Sequence, residues 1–130
     1  MIIGIGNDIT ECARIQAVLE KHGQAFLDHL LTAREQAAGS RIEYYAGRWA
    51  AKEAISKALG CGIGGGCAFT DIEILNDEAG KPQATLSGAA QRTAAELHVG
   101  HIHLSISHEK HYAAAVAVLE SLRPAQSTRS

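Results

Sequence analysis

Hydrophobic residues along this chain follow two different periods, and each change of period marks a boundary between elements. Recurrence every three or four residues is typical of helices, whereas alternation with polar residues is typical of half-buried strands. Helical spacing predicts helices at about 12–21, 26–31, 32–39, 42–59 and 87–100. Alternation and short apolar runs predict strands at 2–6, 69–75, 83–86, 101–108 and 112–119.

Two of these elements carry the prediction of the fold class. The helix at 42–59 is the longest, and Gly60 is a good residue to end it. The segment at 112–119 is ambiguous, because its alanines favour a helix while Val116 and Val118 alternate. We interpret it as a strand that pairs with 101–108 across a short turn. The pattern therefore predicts an α+β fold, with an antiparallel sheet packed against helices that include one long central helix.

Length and composition limit the organisation and the location of the protein. With 130 residues, 46% hydrophobic and 20% charged, the chain is expected to form one domain over 1–120, followed by a loose tail at 121–130. It has neither an apolar run of about 20 residues nor a secretory leader, so we expect no membrane insertion. Its three cysteines lack metal-site spacing and are odd in number, which favours the reducing cytoplasm.

The charge balance argues against a nucleic-acid partner. The net charge is −2, and the chain contains two Phe, three Tyr and one Trp. Such a chain offers neither a general attraction to phosphate backbones nor a surface for stacking bases. Any acidic partner must therefore be met by a local basic patch.

Two carboxylates stand out as candidates for a metal site. Asp8 follows the first predicted strand, and Glu53 lies on the long helix. Mg²⁺ prefers one or two carboxylates with substrate phosphates and water, and the same oxygen ligands suit Mn²⁺. The alternatives are a turn or N-cap role for Asp8 and an exposed ion pair between Glu53 and Lys57, worth about 0.3–0.5 kcal/mol.

Three cations on the same helix are candidates for binding phosphate. Arg48 and Lys52 are one turn apart, while Lys57 lies on the neighbouring face with Glu53. An ordinary amphipathic helix explains the same pattern. The loop at 60–66 contains five glycines in seven residues, which lets its backbone approach a ligand closely, but it lacks the Gly-Lys-Ser/Thr of a P-loop.

Five of the seven histidines lie between residues 98 and 111. His101 and His103 share one face of a predicted strand, so a transition-metal site is one interpretation. A solvated sheet face without a ligand is the interpretation we favour. His108 differs because it follows Ser107 at the end of the strand, where it could bind phosphate or move a proton.

Several short motifs in order along the chain resemble those of one family. They are 5–9 with Arg14, 48–54 with 57–58, the following Gly-x-Gly-Ile, 71–74, 80–82 and 105–108. This set is similar to that of the holo-acyl-carrier-protein synthase type of 4′-phosphopantetheinyl transferases, the small-subunit type, over about residues 2 to 120. The resemblance implies a Mg²⁺-dependent transfer of phosphopantetheine from coenzyme A to a serine of apo-acyl carrier protein. Adenosine 3′,5′-bisphosphate is released.

The resemblance also implies roles for particular residues. Asp8 and Glu53 would hold the metal, and the proton of the serine would leave to a water on the metal, which we prefer, or to Glu53. The residues expected to be catalytic are Asp8, Glu53, Lys57 and His108. Those expected to bind coenzyme A are Arg48, Lys52, Lys57, Gly62, Pro82, Ser107 and His108. Arg14 and Lys21 would dock the acidic carrier protein, although many relatives carry more arginines there.

The family also implies an assembly and a setting. Its members are usually homotrimers that bind coenzyme A between neighbouring subunits and act in lipid synthesis. Two other functions remain as alternatives. One is a non-catalytic module that binds coenzyme A or a nucleotide on the same fold, and the other is a histidine-rich metal-binding protein. The Asp8/Glu53 pair argues against the former, and the cysteine spacing offers no support for the latter.

Overall fold

The computed structural model describes residues 1–122 and contains five strands, five helices and one 3₁₀ turn. The strands are β1 (Ile2–Glu11), β2 (Ile72–Asn76), β3 (Pro82–Leu86), β4 (Val99–His108) and β5 (Tyr112–Ser121). The helices are α1 (Cys12–His22), α2 (Gln24–Leu30), α3 (Ala33–Ala38), α4 (Ile42–Leu59) and α5 (Gly88–Glu96). The 3₁₀ turn, Phe69–Asp71, precedes β2. The chain therefore has the predicted α+β composition.

A three-stranded antiparallel sheet in the order β1-β5-β4 forms the centre of the molecule. In its middle, Gly6 of β1 and Leu104 of β4 both pair with Ala117 of β5. The strands β2 and β3 form a separate antiparallel hairpin. The pairing of β4 with β5 confirms that the ambiguous alanine-rich segment is a strand.

Helix α4 covers one face of this sheet. The β5 side chains on that face are buried and mostly small, Ala113, Ala115, Ala117 and Leu119. Small residues on both surfaces allow the helix to lie close to the strands, as native packing density requires. The opposite face of the sheet is left open to solvent, with exposed isoleucines on β1.

The contact between β1 and α4 leaves no space for side chains. A Cβ added to Gly6 would collide with the carbonyl oxygen of Ala54 and lie 2.7 Å from the amide nitrogen of Ala58. A Cβ added to Gly4 would collide with the carbonyl oxygen of Ala58. Both strand positions thus need glycine for close approach.

A buried ion pair joins α4 to the helices that precede it. The Lys52 ammonium donates to Glu35 Oε1 and to the carbonyl oxygen of Leu30, each at 2.7 Å. The other oxygen of Glu35 accepts from the amide of Ile74 at 2.7 Å. Glu35 also forms a capping box with Thr32 at the start of α3. One carboxylate therefore connects α3, α4 and β2.

The structure differs from the sequence predictions in the extent of several elements. Helix α5 ends at Glu96, short of the predicted 100, and β4 already begins at Val99. Strand β1 continues to Glu11, so Asp8 lies inside a strand and not after its end. Pairing with β5 along its whole length extends it, because every residue from Gly4 to Glu11 has a partner. The predicted strand at 69–75 begins as the 3₁₀ turn, where the Asp71 carboxylate accepts from the amide of Ala68.

Two further expectations concern the ends and the membrane. Of the predicted tail at 121–130, Ser121 is the last residue of β5, and residues 123–130 lie outside the described residues. In the part of the chain from 1 to 122, no helix is both long and apolar enough to cross a membrane.

Candidate functional site

The close contact of β1 with α4 brings Asp8 beside the last turns of the helix. Asp8 Oδ1 accepts from the Lys57 ammonium at 3.1 Å, and Asp8 Oδ2 accepts from the Thr10 hydroxyl at 2.8 Å. Lys57 also donates to the carbonyl oxygen of Asn7 at 3.0 Å. Asp8 and Thr10 point to the same side because they are two residues apart on one strand. Lys57 thus pairs with Asp8 and not, as the alternative interpretation held, with Glu53.

Glu53 belongs to the same group of charges. Its pKa is raised above the ordinary value, first by burial and then by the neighbouring charge of Asp8. The cations Lys57 and Arg14 act in the opposite direction. Arg14 lies on α1 and stacks over the Trp49 ring, with its Cζ 5.7 Å from the ring centroid. Two carboxylates and two cations from three elements therefore share one electrostatic environment.

A cavity of about 580 Å³ opens beside Asp8 and Lys57. It is lined by Asp8 and Lys57 on one side and by Ser105 and Ser107 of β4 on the other. Carboxylate, ammonium and hydroxyl groups at one concave surface can bind a phosphate ester together with a cation. The structure thus brings Ser107 to the same cavity as Asp8.

Arg48 and His108 meet at a different cavity, of about 350 Å³. The guanidinium of Arg48 lies 4.6 Å from the Tyr44 ring centroid, and its Nη2 donates to Asn76 Oδ1 at 3.2 Å. Its buried Nε has no hydrogen-bond partner within residues 1–122. A buried donor without a partner carries a desolvation penalty, so this arginine is suited to an incoming acceptor.

The side chains of Ser107 and His108 lie on opposite faces of the sheet within one subunit. They are consecutive on β4, so their side chains project to opposite faces of the sheet. Ser107 pairs with Ala114 on the open face, and His108 pairs with Ala113 on the face that α4 covers. Within one subunit, the two side chains that were expected to bind coenzyme A therefore lie on opposite faces of the sheet.

Three other predicted residues lie at separate places. Gly62 follows the end of α4 with a φ of 70°, in the left-handed region that favours glycine. Pro82 begins β3 and lines a third cavity, of about 370 Å³, with His101 and His103. Lys21 is exposed near the end of α1, on the helix that also carries Arg14.

The structure corrects the predicted role of Lys52. Its side chain is fully buried, and its ammonium binds Glu35 and the Leu30 carbonyl. Burial lowers the pKa of Lys52, and the carboxylate of Glu35 opposes that shift. Because its donors face inward, Lys52 does not reach a bound phosphate. Its spacing from Arg48 placed it on the correct helix but could not show what packs over it.

The donor atoms at Asp8 and Glu53 fit a hard cation. Two carboxylates are the usual protein contribution to a Mg²⁺ site, where phosphates and water supply the remaining ligands. No group of three or more His, Cys, Asp or Glu side chains in the described chain is arranged to hold a metal by itself. In the pair of His101 and His103, His103 already has a side-chain partner, because its Nε2 lies 2.9 Å from Glu120 Oε1.

Sequence reasoning missed two partners of the site residues. Thr10 orients Asp8, and its two-residue spacing from Asp8 would have shown this once β1 was known to extend past Gly6. Asn76 holds Arg48, but in the sequence it reads only as the start of a turn. No local signal links a turn asparagine to an arginine 28 residues earlier.

Comparison with known proteins identifies close relatives. A profile of the 4′-phosphopantetheinyl transferase superfamily matches residues 4–117. A protein of Vibrio parahaemolyticus, named holo-[acyl-carrier-protein] synthase, is 48% identical over 92% of this chain and 98% of its own. The crystal structure of the synthase of that name from Neisseria meningitidis matches with a TM-score of 0.85 and 39% identity, over 93% of this chain and all of its own. The crystal structure of the Helicobacter pylori synthase in complex with coenzyme A matches with a TM-score of 0.81 and 34% identity, over 89% of this chain and 99% of its own.

The raised pKa of Glu53 predicts an effect of pH on stability. The folded protein holds this proton at a higher pH than the unfolded chain does. The stability that the group contributes is therefore fully present below its unfolded pKa of about 4.3, and it is lost as the pH rises through the folded pKa. We expect Glu53→Gln to raise the free energy of unfolding at pH 7 and to lose that advantage below about pH 4.

Urea unfolding in EDTA at both pH values checks this expectation. Glu96→Gln, on the exposed end of α5, is the matched control and should leave the free energy of unfolding unchanged at both pH values. A Glu53→Gln protein less stable than the parent at pH 7 would contradict the expectation.

Proposed function

Since the chain belongs to the 4′-phosphopantetheinyl transferase superfamily, we propose that it is a holo-acyl-carrier-protein synthase. It transfers 4′-phosphopantetheine from coenzyme A to a serine of apo-acyl carrier protein and releases adenosine 3′,5′-bisphosphate. The observation that carries this proposal is the pairing of Asp8 with Lys57 at one cavity, within the electrostatic reach of Glu53, in a chain with full-length relatives of that name.

The reaction replaces a phosphoanhydride bond of coenzyme A with a phosphate ester to serine. The serine oxygen attacks the β-phosphorus, and the bond from that phosphorus to the oxygen of the nucleotide phosphate breaks. Negative charge develops on the oxygens around phosphorus and on the departing bisphosphate. Lys57, exposed at the cavity, would stabilise that charge. Arg48 lines the other cavity, and its Nε, unpartnered within residues 1–122, would bind a phosphate oxygen there.

Asp8 and Glu53 would hold the cation of the site. When bound, Mg²⁺ would neutralise the charge of the diphosphate and act as a Lewis acid. Thr10 and Lys57 hold the Asp8 carboxylate in position. The serine proton would leave to a solvent water or to Glu53.

We propose that the protein assembles as a homotrimer through the open face of its sheet. This face carries Ile5, Ile9, Val116 and Tyr112, which are between 40% and 69% exposed. A contiguous apolar patch of this kind is typical of an interface. Assembly would also let Ser107 of one subunit and His108 of another reach one coenzyme A, as their opposite orientations require.

We propose that α1 docks the carrier protein. Arg14 and Lys21 are exposed on this helix, seven residues apart and therefore on one face. Arg14 adjoins the charges at Glu53, so a carrier bound to α1 would present its serine near the cavity. Opposite charges of this kind mainly accelerate association and make it sensitive to salt.

We place the enzyme in the cytoplasm and in fatty acid synthesis. Support comes from the three cysteines, which are all free thiols. Acyl carrier protein, the substrate named by the relatives, carries acyl chains in lipid synthesis.

Replacement of the two carboxylates tests the proposed function. We expect Asp8→Ala or Glu53→Ala to reduce transfer at least about a hundredfold, because the site loses a ligand of its cation. Intact mass spectrometry of apo-acyl carrier protein, incubated with the enzyme, coenzyme A and Mg²⁺, measures the gain of one phosphopantetheine. EDTA should abolish the gain, and Glu96→Ala is the control for a lost carboxylate.

Two outcomes would count against the proposal. Transfer at the parent rate by both variants would refute the metal assignment. Coenzyme A binding by the parent protein without any transfer would identify the non-catalytic module.

Charge reversal on α1 tests the docking surface. We expect Arg14→Glu/Lys21→Glu to raise KM for the carrier protein roughly tenfold, which corresponds to about 1.4 kcal/mol, and to leave coenzyme A affinity unchanged. Lys21→Glu alone isolates docking from the electrostatics of Glu53. Arg92→Glu on α5 controls for charge, and a KM that does not respond to Lys21→Glu would place docking elsewhere.

Light scattering tests the assembly. A particle of three times the 13.7 kDa chain mass is expected. Ile9→Glu should dissociate it, because a charge would be buried against apolar surface. Leu97→Glu, at an exposed apolar residue beyond the end of α5, should leave the trimer intact. A monomeric parent protein would refute the proposal.

A further inference from the structure

The glycine-rich loop after α4 brings two cysteine sulfurs together. The Sγ atoms of Cys61 and Cys67 are 2.9 Å apart, and both thiols are free. A disulfide bond is about 2.05 Å long, so the sulfurs are in contact without being bonded. A displacement of less than about 1 Å separates the two states.

The backbone of the loop already holds its ends in this position. The amide of Gly64 donates to the carbonyl oxygen of Cys67 at 2.8 Å, and the amide of Gly66 donates to that of Gly62 at 3.2 Å. Ile63 and Cys67 also form an isolated β-bridge. Because the loop is closed before any covalent bond exists, bridging it requires little further ordering of the chain.

Gly66 provides the space in which the two cysteines meet. A Cβ at this position would lie 2.8 Å from the Cβ of Cys61 and 3.0 Å from its carbonyl oxygen. Any other residue at this position would collide with Cys61 and force a shift of the loop. The absence of a side chain at Gly66 therefore lets the two thiols lie in contact.

The two thiols differ in access and reactivity. Cys61 is partly exposed, whereas Cys67 is buried. Burial, followed by the hydrogen bond with Cys61, raises the pKa of Cys67 to about 12. Cys67 therefore stays protonated, and Cys61 is the thiol that meets an oxidant first.

We propose that Cys61 and Cys67 form a reversible intrachain disulfide, a redox modification site that closes the loop at the end of α4. The oxidant is a peroxide, and a dithiol reductant restores the thiols. The protein in a reducing cytoplasm would hold both thiols free, as they are in this structure.

The oxidation balances as two steps. Cys61, as thiolate, attacks one oxygen of hydrogen peroxide, the O–O bond breaks, and Cys61 becomes a sulfenic acid as hydroxide leaves and is protonated to water. The Cys67 sulfur then attacks the Cys61 sulfur, and the S–O bond breaks. The hydroxide leaves with the Cys67 proton as a second water. Two thiols have lost two electrons, which the peroxide has gained.

The loop is attached directly to the helix turn that carries the site. The amides of Cys61 and Gly62 both donate to the carbonyl oxygen of Ser56, at 3.2 and 3.4 Å. The Ser56 hydroxyl donates to the carbonyl oxygen of Glu53 at 2.8 Å, and the charge of Glu53 contributes to the raised pKa of Cys67. We therefore expect oxidation to slow transfer, a consequence that rests on the proposed function.

Thiol counting with intact mass spectrometry tests the site on the whole protein. The protein is oxidised in its folded state and then labelled with iodoacetamide in denaturant, so that the buried thiols can react. Hydrogen peroxide should reduce the number of labelled thiols from three to one, and the mass before labelling should fall by two hydrogens. Dithiothreitol should restore all three. In Cys61→Ser and in Cys67→Ser, peroxide should form no intrachain disulfide, so the mass should not fall by two hydrogens. Cys12→Ala, which removes the distant buried thiol, should still form the disulfide and lose both remaining thiols.

The outcomes separate this proposal from the proposed function. Three reactive thiols after peroxide treatment, or sulfinic acid on Cys61 beside a free Cys67 thiol, would overturn the disulfide. An oxidised protein that transfers phosphopantetheine at the rate of the reduced protein would overturn the link to transfer. A reduced protein without any transfer would instead refute the proposed function, whatever the state of the thiols.

Discussion

The approach of β1 to α4 without intervening side chains is the constraint on which the site depends. Gly4 and Gly6 lie against the backbone of Ala54 and Ala58, so the strand rests directly on the helix. Asp8 follows two residues after Gly6 and points to the same side. A larger residue at Gly6 would separate the elements and thereby separate Asp8 from Glu53 and Lys57. The two glycines therefore determine how far Asp8 lies from the charges on α4.

A second constraint fixes α4 from the other side. The Glu35 carboxylate binds Lys52, the amide of Thr32 and the amide of Ile74, so α4 is held to α3 and β2 at one buried point. Removing one partner of a buried ion pair typically costs about 3–5 kcal/mol, because the other charge is left uncompensated. The sheet and this network enclose α4, while Glu53 and Lys57 remain at its accessible side.

The sequence predicts the elements better than it predicts the environment of each side chain. The spacing at 42–59 and the glycine after it locate α4 to the residue, and the alternation in β4 identifies its open face. It could not show that Lys52 faces Glu35, because that contact joins residues 17 positions apart in the chain. Likewise β1 was predicted too short, since its second half is polar and is held in the sheet by β5.

The four charged residues at 48–57 thus occupy quite different surroundings, although they form one compact motif. Arg48 faces a cavity, Lys52 is sealed inside, and Glu53 and Lys57 belong to the charged group at Asp8. Loss of Lys52 would therefore resemble loss of a catalytic group in any assay that reads growth or total activity. The cause would be a lower amount of folded protein, because proteases remove a destabilised chain. Only turnover per folded molecule distinguishes the two.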